Sequence, residues 1–318
     1  MLSPIKLNRM DPLADVLAVT GARGTVAATV HAGAHWGLDI ADVPGAAFHA
    51  VNTGTAWLML EGQRPRQLVP GDVVLLPTGT RHRLASSPDQ PCRPFDHAAA
   101  RAALANGGIL HAGDEPLRTR ILCASYHLDP AASVPLLALL PDTIQPLPDP
   151  TGALGDLVRL LGHEIQQPRP AASTALNRLL DLILIHLLRA WLTTADPHET
   201  PPSWLTALRD PTMVDALSAL HADPAHAWTV EQLATRIAVS RATLARRFTT
   251  LVGDTPNNYL IKWRMELAAH RLRTTTDPIA PIAHSVGYTS EHAFSRAFTR
   301  IHGHSPGRYR TIARSSTP

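Results

Sequence analysis

The sequence predicts a two-domain α+β protein: an all-β N-terminal unit followed by helices, then an all-α C-terminal domain. Three observations carry that prediction. At 318 residues the chain exceeds the usual size of one compact domain, so two cores are expected. From about Ala46 to Leu84, short apolar runs are bounded by Gly, Pro and Asp, the pattern of strands and turns. After roughly Pro141 the apolar residues adopt helical spacing instead.

Charge is unevenly spread. Residues 209–318 carry 14 basic and 8 acidic side chains, or +6, whereas residues 1–208 carry 15 and 18, or −3. A basic C-terminal third suits a module that neutralises phosphates, although ordinary surfaces also reach this charge. The two cysteines, Cys92 and Cys123, have neither C-x-x-C spacing nor the framework of a secreted disulfide protein, so a reduced, cytoplasmic protein is expected. The N-terminus MLSPIKLNRMDPLADVL lacks the apolar core of a signal peptide. The most apolar stretch, ALNRLLDLILIHLLRAWL, is interrupted by Arg178, Asp181, His186 and Arg189, so no membrane span is expected.

The β reading rests on AAFHAVNTGTAWLMLEG and RQLVPGDVVLLPTGTRHRL. A Pro-rich stretch, PDTIQPLPDPTG, then gives way to helical ALGDLVRLLGHEI and to a long apolar segment from Ser173 to Leu192. That segment carries Leu176, Leu179, Leu180, Ile183, Leu184, Leu187 and Leu188 at helical spacing, with Leu182 and Ile185 on other faces. A helix apolar nearly all round must be covered on several sides, either within its own domain or at a dimer interface.

A second Pro-rich break, TTADPHETPPSW, reads as a linker. Beyond it Asp210-Pro211, Thr255-Pro256, Asp277-Pro278 and Ser305-Pro306 each put a capping side chain before a Pro at the first helical position, where the missing N–H costs nothing. Thr229 with Gln232 adds a capping box. These signals predict helices near 211–221, 230–237, 241–250, 256–273, 278–285 and 290–301.

This region contains a duplication. Leu233 and Ala234 pair with Ile282 and Ala283. After one extra residue in the turn, Leu244, Arg246, Phe248, Gly253, Pro256 and Tyr259 pair with Phe294, Arg296, Phe298, Gly303, Pro306 and Tyr309. Each copy reads as helix, tight turn, helix, the geometry that lays its second helix in the DNA major groove. If Leu244 and Phe248 are buried, Arg241, Ala242, Thr243, Ala245 and Arg246 face outward. In the second copy Glu291, His292, Ser295 and Arg296 do so. An outward Arg at the same place in both copies suits bidentate contact with guanine, and Arg300, one turn beyond Arg296, is the candidate phosphate contact. Between the copies, TPNNYLIKWRMELAAHRLRT reads as one connecting helix, long enough to hold two recognition helices about one DNA turn apart. Trp263, Leu267 and His270 are read as its core.

RMELAAHRL followed by IAPIAHSVGYTSEHAFSRAFTRIHGHSPGRYR resembles the signature of the AraC/XylS family of transcription regulators. The resemblance covers about 105 residues. It implies a seven-helix DNA-binding domain with two helix-turn-helix units, joined to an effector-binding or dimerisation domain. By position, Arg246 and Arg296 correspond to its base-reading arginines. Ala242 departs from members that place a larger base-contacting side chain there, so fewer direct base contacts are expected from the first unit.

In the N-terminal half, PGDVVLLPTGTRH resembles the second cupin motif through Gly71, Pro77, Gly79 and His82. The first motif should supply two histidines one residue apart and a glutamate just beyond. Here His49 is followed by Val51, with no acid before Glu61, so no metal ligand set and no cofactor are expected. The resemblance implies a small β-barrel whose interior takes an effector, with His49, His82 and Trp36 as candidate pocket residues and His31 and His35 nearby. Cys92 and Cys123 are candidate redox residues if the fold brings them together.

The expected organisation is therefore a cupin-like sensor over residues 1–145, a helical dimerisation region and linker over 146–208, and an AraC-type DNA-binding domain over 209–318. The expected function is a sequence-specific DNA-binding transcription regulator that responds to a small molecule or redox signal and is not an enzyme. Its expected partners are double-stranded promoter DNA, RNA polymerase, a small-molecule effector and a second copy of the chain. The alternative is a metal-dependent cupin enzyme with a helical appendage.

Overall fold

In the computed structural model, residues 11–41, 43, 45–105, 109–127, 136–146, 152–166, 170–196 and 200–315 are described. Strands begin well before Ala46. Arg23–Ala32 (β1) buries alternate residues, but its inward positions include Ala28 and Ala32, too small to signal a strand from sequence. It is followed by Gly37–Ile40 (β2), Ala46–Thr53 (β3), Ala56–Leu60 (β4), Arg66–Leu68 (β5), Val73–Leu76 (β6), His82–Ala85 (β7), Arg93–Pro94 (β8), Leu110–Ala112 (β9) and Thr119–His127 (β10).

Hydrogen bonding joins these strands as two five-stranded sheets, β6-β3-β10-β1-β9 and β5-β4-β7-β2-β8, and not as one closed barrel. The ladders are antiparallel except at one edge of each sheet, where β9 runs parallel to β1 and β8 parallel to β2. A single apolar core takes Val30, Val51 and Ile121 from the first sheet, Leu38, Leu58 and Leu84 from the second, and Trp36 just before β2.

Pro12–Thr20 (α1) precedes β1, with Asp11 capping it through Leu13 N and Ala14 N. His97–Ala105 (α2) lies between β8 and β9; Ala153–Gln166 (α3) and Ala172–Thr194 (α4) follow β10. The long apolar helix α4 has a definite inner face of Leu180, Ile183, Leu184, Leu187 and Leu188, whereas Leu182 is 46% exposed. It lies so close to β1 that a Cβ on Gly24 would meet Leu180 Cβ at 2.4 Å, and the Tyr126 hydroxyl donates to the Leu180 carbonyl at 2.9 Å.

Packing groups the chain differently from boundaries drawn at 145 and 208. One unit comprises residues 22–127 and 140–195, so α3 and α4 belong with the sheets. The other comprises residues 11–21, 136–139 and 196–315. Within it α1 buries Leu13, Val16 and Val19, Asp15 Oδ2 bonds His221 Nδ1 at 3.0 Å, and the Val19 carbonyl accepts from His270 Nδ1 (3.2 Å) and Arg273 Nη2 (2.9 Å).

The helices of this second unit are Pro211–Ala222 (α5), Val230–Arg236 (α6), Arg241–Val252 (α7), Pro256–Thr274 (α8), Ile279–Ser285 (α9), Glu291–His302 (α10) and Pro306–Ser315 (α11). The first six match their expected bounds within two residues. Asp210 and Thr255 cap α5 and α8 with Pro following, and the Thr229–Gln232 capping box opens α6. Asp277 is the exception. Pro278 takes the cap position of α9 without a side-chain bond, while the Asp277 carboxylate bonds Arg271 at 2.8 Å. A cation within reach won over the free N–H groups.

Candidate nucleic-acid interface and a buried histidine pair

The duplication survives as packing. In α7, Leu244 and Phe248 are buried, Arg241, Ala242 and Arg246 exposed, and Thr243, Ala245 and Arg247 half-buried. In α10 the pattern repeats position by position: Phe294 and Phe298 buried, Glu291, His292 and Arg296 exposed, and Ala293, Ser295 and Ala297 half-buried. Ser240 and Ser290 cap the two helices by accepting from Thr243 N (3.1 Å) and Ala293 N (3.4 Å). Gly253 and Gly303 end them in left-handed conformations, φ +76° and +74°. Behind each helix a tyrosine ring meets the buried phenylalanine edge-on, Tyr259 on Phe248 at 5.8 Å and Tyr309 on Phe298 at 5.2 Å.

All nine residues expected at the interface thus lie on α7 or α10, with Arg300 exposed beside Arg296. A shallow concavity on the outer face of α10 is lined by His292, Ser295, Arg296, Thr299 and Arg300. Thr299 escaped the sequence reading, although its helical spacing from Ser295 and Arg296 was the available signal. Arg247 and Arg264 also went unassigned, and their contacts explain why they do not face outward with Arg246. Arg247 pairs with Asp210 at the start of α5. Arg264 donates to the carbonyls of Pro224 (2.6 Å) and His226 (2.8 Å), tying the α5–α6 loop to α8. Of the residues read as core in α8, Trp263 stacks on His221 with centroids 4.0 Å apart, and Leu267 packs partly buried into the second copy's cluster.

In the sheet unit, His49 on β3 and His82 at the start of β7 come from opposite sheets and meet Nε2 to Nε2 at 2.7 Å. The Thr80 carbonyl accepts from His82 Nδ1 at 2.7 Å, which leaves His82 Nε2 as acceptor and His49 Nε2 as donor. His49 Nδ1, 3.1 Å from Cys123 Sγ, then accepts a hydrogen bond from the thiol. Burial lowers both histidines, His49 strongly, and pushes the Cys123 thiol up to about 12, so every member of the chain is uncharged.

The pair does not fit the metal that a cupin fold suggests. Two imidazole ligands at about 2.0–2.1 Å from one tetrahedral ion stand about 3.3 Å apart. Their facing nitrogens are closer and share a proton. Among the described residues no group of three His, Cys, Asp or Glu side chains is placed to hold a metal ion.

Trp36, expected at the mouth of a pocket, is instead buried in the apolar core, and His35 is exposed. The two cysteines have separate surroundings. Cys123 lies in the central strand of the first sheet against His49, whereas Cys92, just before edge strand β8 of the second, bonds the Gln90 carbonyl at 3.4 Å; both are free thiols.

The cupin family matches residues 11–193, and a helix-turn-helix domain matches residues 233–312, a span that includes α7, α8 and α10. A putative AraC-like transcription regulator of Streptomyces antibioticus is 38% identical over 305 residues, covering 95% of this chain and 98% of its own. The chain belongs to the AraC-like transcription regulators. Another relative of this regulator, the RCS-specific HTH-type transcriptional activator RclR of Escherichia coli, is 29% identical over 97% of this chain and 100% of its own. The DNA-binding domain of AdpA, solved in complex with a target DNA, is 34% identical, covers 34% of this chain and 97% of its own, and superposes with a TM-score of 0.32. Among the described residues no helix is long and apolar enough to cross a membrane.

Proposed function

We propose that α6–α7 and α9–α10 are two helix-turn-helix units that read adjacent major grooves of promoter DNA, with α7 and α10 as recognition helices. The observation that carries this reading is the repeated outward face: Arg246 and Arg296 sit between the same two buried positions of equivalent helices. Arg241, Ala242 and Thr243 in the first unit and Glu291, His292 and Ser295 in the second surround them and contact bases or backbone. Arg300 binds phosphate. The test is a binding-site selection at one fixed salt concentration with wild type, Arg246→Ala and Arg296→Ala. Each variant should lose base preference in its own half-site. Unchanged preferences in both would sink the assignment.

The sheet unit serves as the sensor, and the signal acts at the Cys123–His49–His82 chain. Supporting this are the hydrogen-bond contact of the Cys123 thiol with His49 and the name of the Escherichia coli relative, an RCS-specific activator. Promoter affinity measured with and without a mild oxidant should change in wild type and not in Cys123→Ser. The regulator works as a cytoplasmic homodimer that contacts RNA polymerase, with the partly exposed Leu160 and Leu182 on α3 and α4 at the dimer contact. Sedimentation of the full chain should show the dimer dissociating in Leu182→Glu.

A metal-dependent cupin enzyme remains the rival reading, and the relatives' names and the closeness of His49 to His82 favour the regulator. Purified protein should carry well under one transition metal per chain.

A further inference from the structure

Helices α7 and α10 repeat each other's burial at every position from Arg241 and Glu291 to Thr250 and Arg300, yet they do not carry the same charge. Each opens directly after its capping serine, Ser240 or Ser290, and the side chain at that first position is exposed: Arg241 in one copy, Glu291 in the other. Glu291 is the only acidic residue in either helix. Among the described residues neither Arg241 nor Glu291 has an ion-pair partner, whereas Arg247, Lys262 and Arg271 are each matched to a carboxylate.

The first residues of a recognition helix lie nearest the base edges. There a guanidinium and a carboxylate behave oppositely. The guanidinium is attracted by every phosphate within reach, whatever the sequence. The carboxylate is repelled by all of them, so only a base-edge donor offsets its presence, and the major groove offers two, cytosine N4 and adenine N6. Adenine sets its N7 acceptor beside N6, and guanine and thymine present acceptors to the same approach, which leaves cytosine. A charge that opposes mismatched DNA raises selectivity while lowering raw affinity. An acid here also suits the helix dipole, a role that would leave base preference untouched.

We infer that Glu291 is a specificity-determining residue of α10: it accepts from a cytosine N4 amino group in the α10 half-site and repels DNA that lacks one. Arg241, in the equivalent place beside the apolar Ala242, grips phosphate instead. The two half-sites are therefore unlike at this position, the α7 half held with little base preference and the α10 half selective. This rests on the reading of α7 and α10 as the helices that enter the major groove.

The experiment is a binding-site selection with the full chain on a duplex randomised over both half-sites, followed by fluorescence-anisotropy titrations of the selected duplex and a scrambled one at several salt concentrations. Wild type should prefer cytosine at one position of the α10 half-site by at least about fivefold. Glu291→Gln, which keeps the shape and removes the charge, should lose that preference, keep the guanine assigned to Arg296, and bind the scrambled duplex about two- to fivefold more tightly. Arg241→Ala should weaken both duplexes alike and reduce the salt slope by about one counterion, with base preferences as in wild type. Arg296→Ala, selected in parallel, should lose its guanine. If it does while Glu291→Gln selects the wild-type site, or binds scrambled DNA no more tightly, the role of Glu291 is wrong and the reading of α10 stands. If neither variant changes the selected site, α10 does not read bases and the inference falls with it. A base preference lost in Arg241→Ala would overturn the contrast between the two copies.

Discussion

His49 and His82 face each other Nε2 to Nε2 at 2.7 Å across the two sheets, and both are uncharged because burial holds them below the ordinary histidine value of 6.5. In the helical unit His221, stacked on Trp263, is lowered in the same way. The unfolded chain takes up protons near pH 6.5 that the native protein refuses, so the stabilisation is complete above that value and is lost as pH falls through it. Urea midpoints should therefore drop between pH about 7.5 and about 5.5. In His49→Phe the drop should be smaller, because one of the depressed groups is gone. An equal slope in the variant would remove His49 from the account.

Arg246→Ala and Arg296→Ala should each weaken specific DNA binding by about 1–3 kcal/mol. Arg300→Ala should instead weaken all sequences alike and reduce the salt slope by about one counterion. The two half-sites should lie about 10 base pairs apart on one face of the duplex, since α8 joins the copies as a single 19-residue helix. Titrations at several salt concentrations, with specific and scrambled duplexes, separate these behaviours.

Ala238 and Gly287 occupy the same place in the turns of the two copies, both left-handed, with φ of +57° and +84°. Alanine pays for this conformation with a steric cost that glycine avoids. Ala238→Gly should therefore stabilise the protein by up to about 1 kcal/mol. Gly287→Ala should do the reverse and more, because its Cβ would meet the Ala225 carbonyl oxygen at 2.6 Å. Chemical denaturation of both variants checks the signs.

Asp210 serves two helices at once. One oxygen accepts from Thr212 N (2.9 Å) and Met213 N (3.2 Å) at the start of α5, and the other pairs with Arg247 on α7. Asp210→Ala should cost about 1–2 kcal/mol for the lost cap. Arg247→Ala, which removes only a partly exposed ion pair, should cost under about 1 kcal/mol. Equal losses would mean that the ion pair, and not the cap, holds this corner together.

The sequence by itself determined helices α5 to α10 almost completely. Their ends are written in single residues, Asp210, Thr229 and Thr255 with their Pro or Gln partners, and their duplication pairs Leu244 and Phe248 with Phe294 and Phe298. Caps and helical periodicity act within a few residues, so they are legible without knowing the fold. The same locality made the outward faces of α7 and α10 readable. Where a nearby charge competes, the cap signal fails, as it does where Arg271, on the preceding helix, draws Asp277 away from the cap of α9.

Tertiary structure alone decided the rest. The cupin resemblance puts His49 and His82 in one interior, but it foretells neither that their Nε2 atoms meet across the sheets nor that Cys123 lies at the far nitrogen of His49. Tertiary structure also decided that α1 packs with the helices that begin some 190 residues later, through Asp15 and His221, and that α4 closes on Gly24. These contacts depend on sheet pairing and on burial between segments far apart in sequence. Their energies come from desolvation and close packing in a three-dimensional neighbourhood that no window of sequence contains.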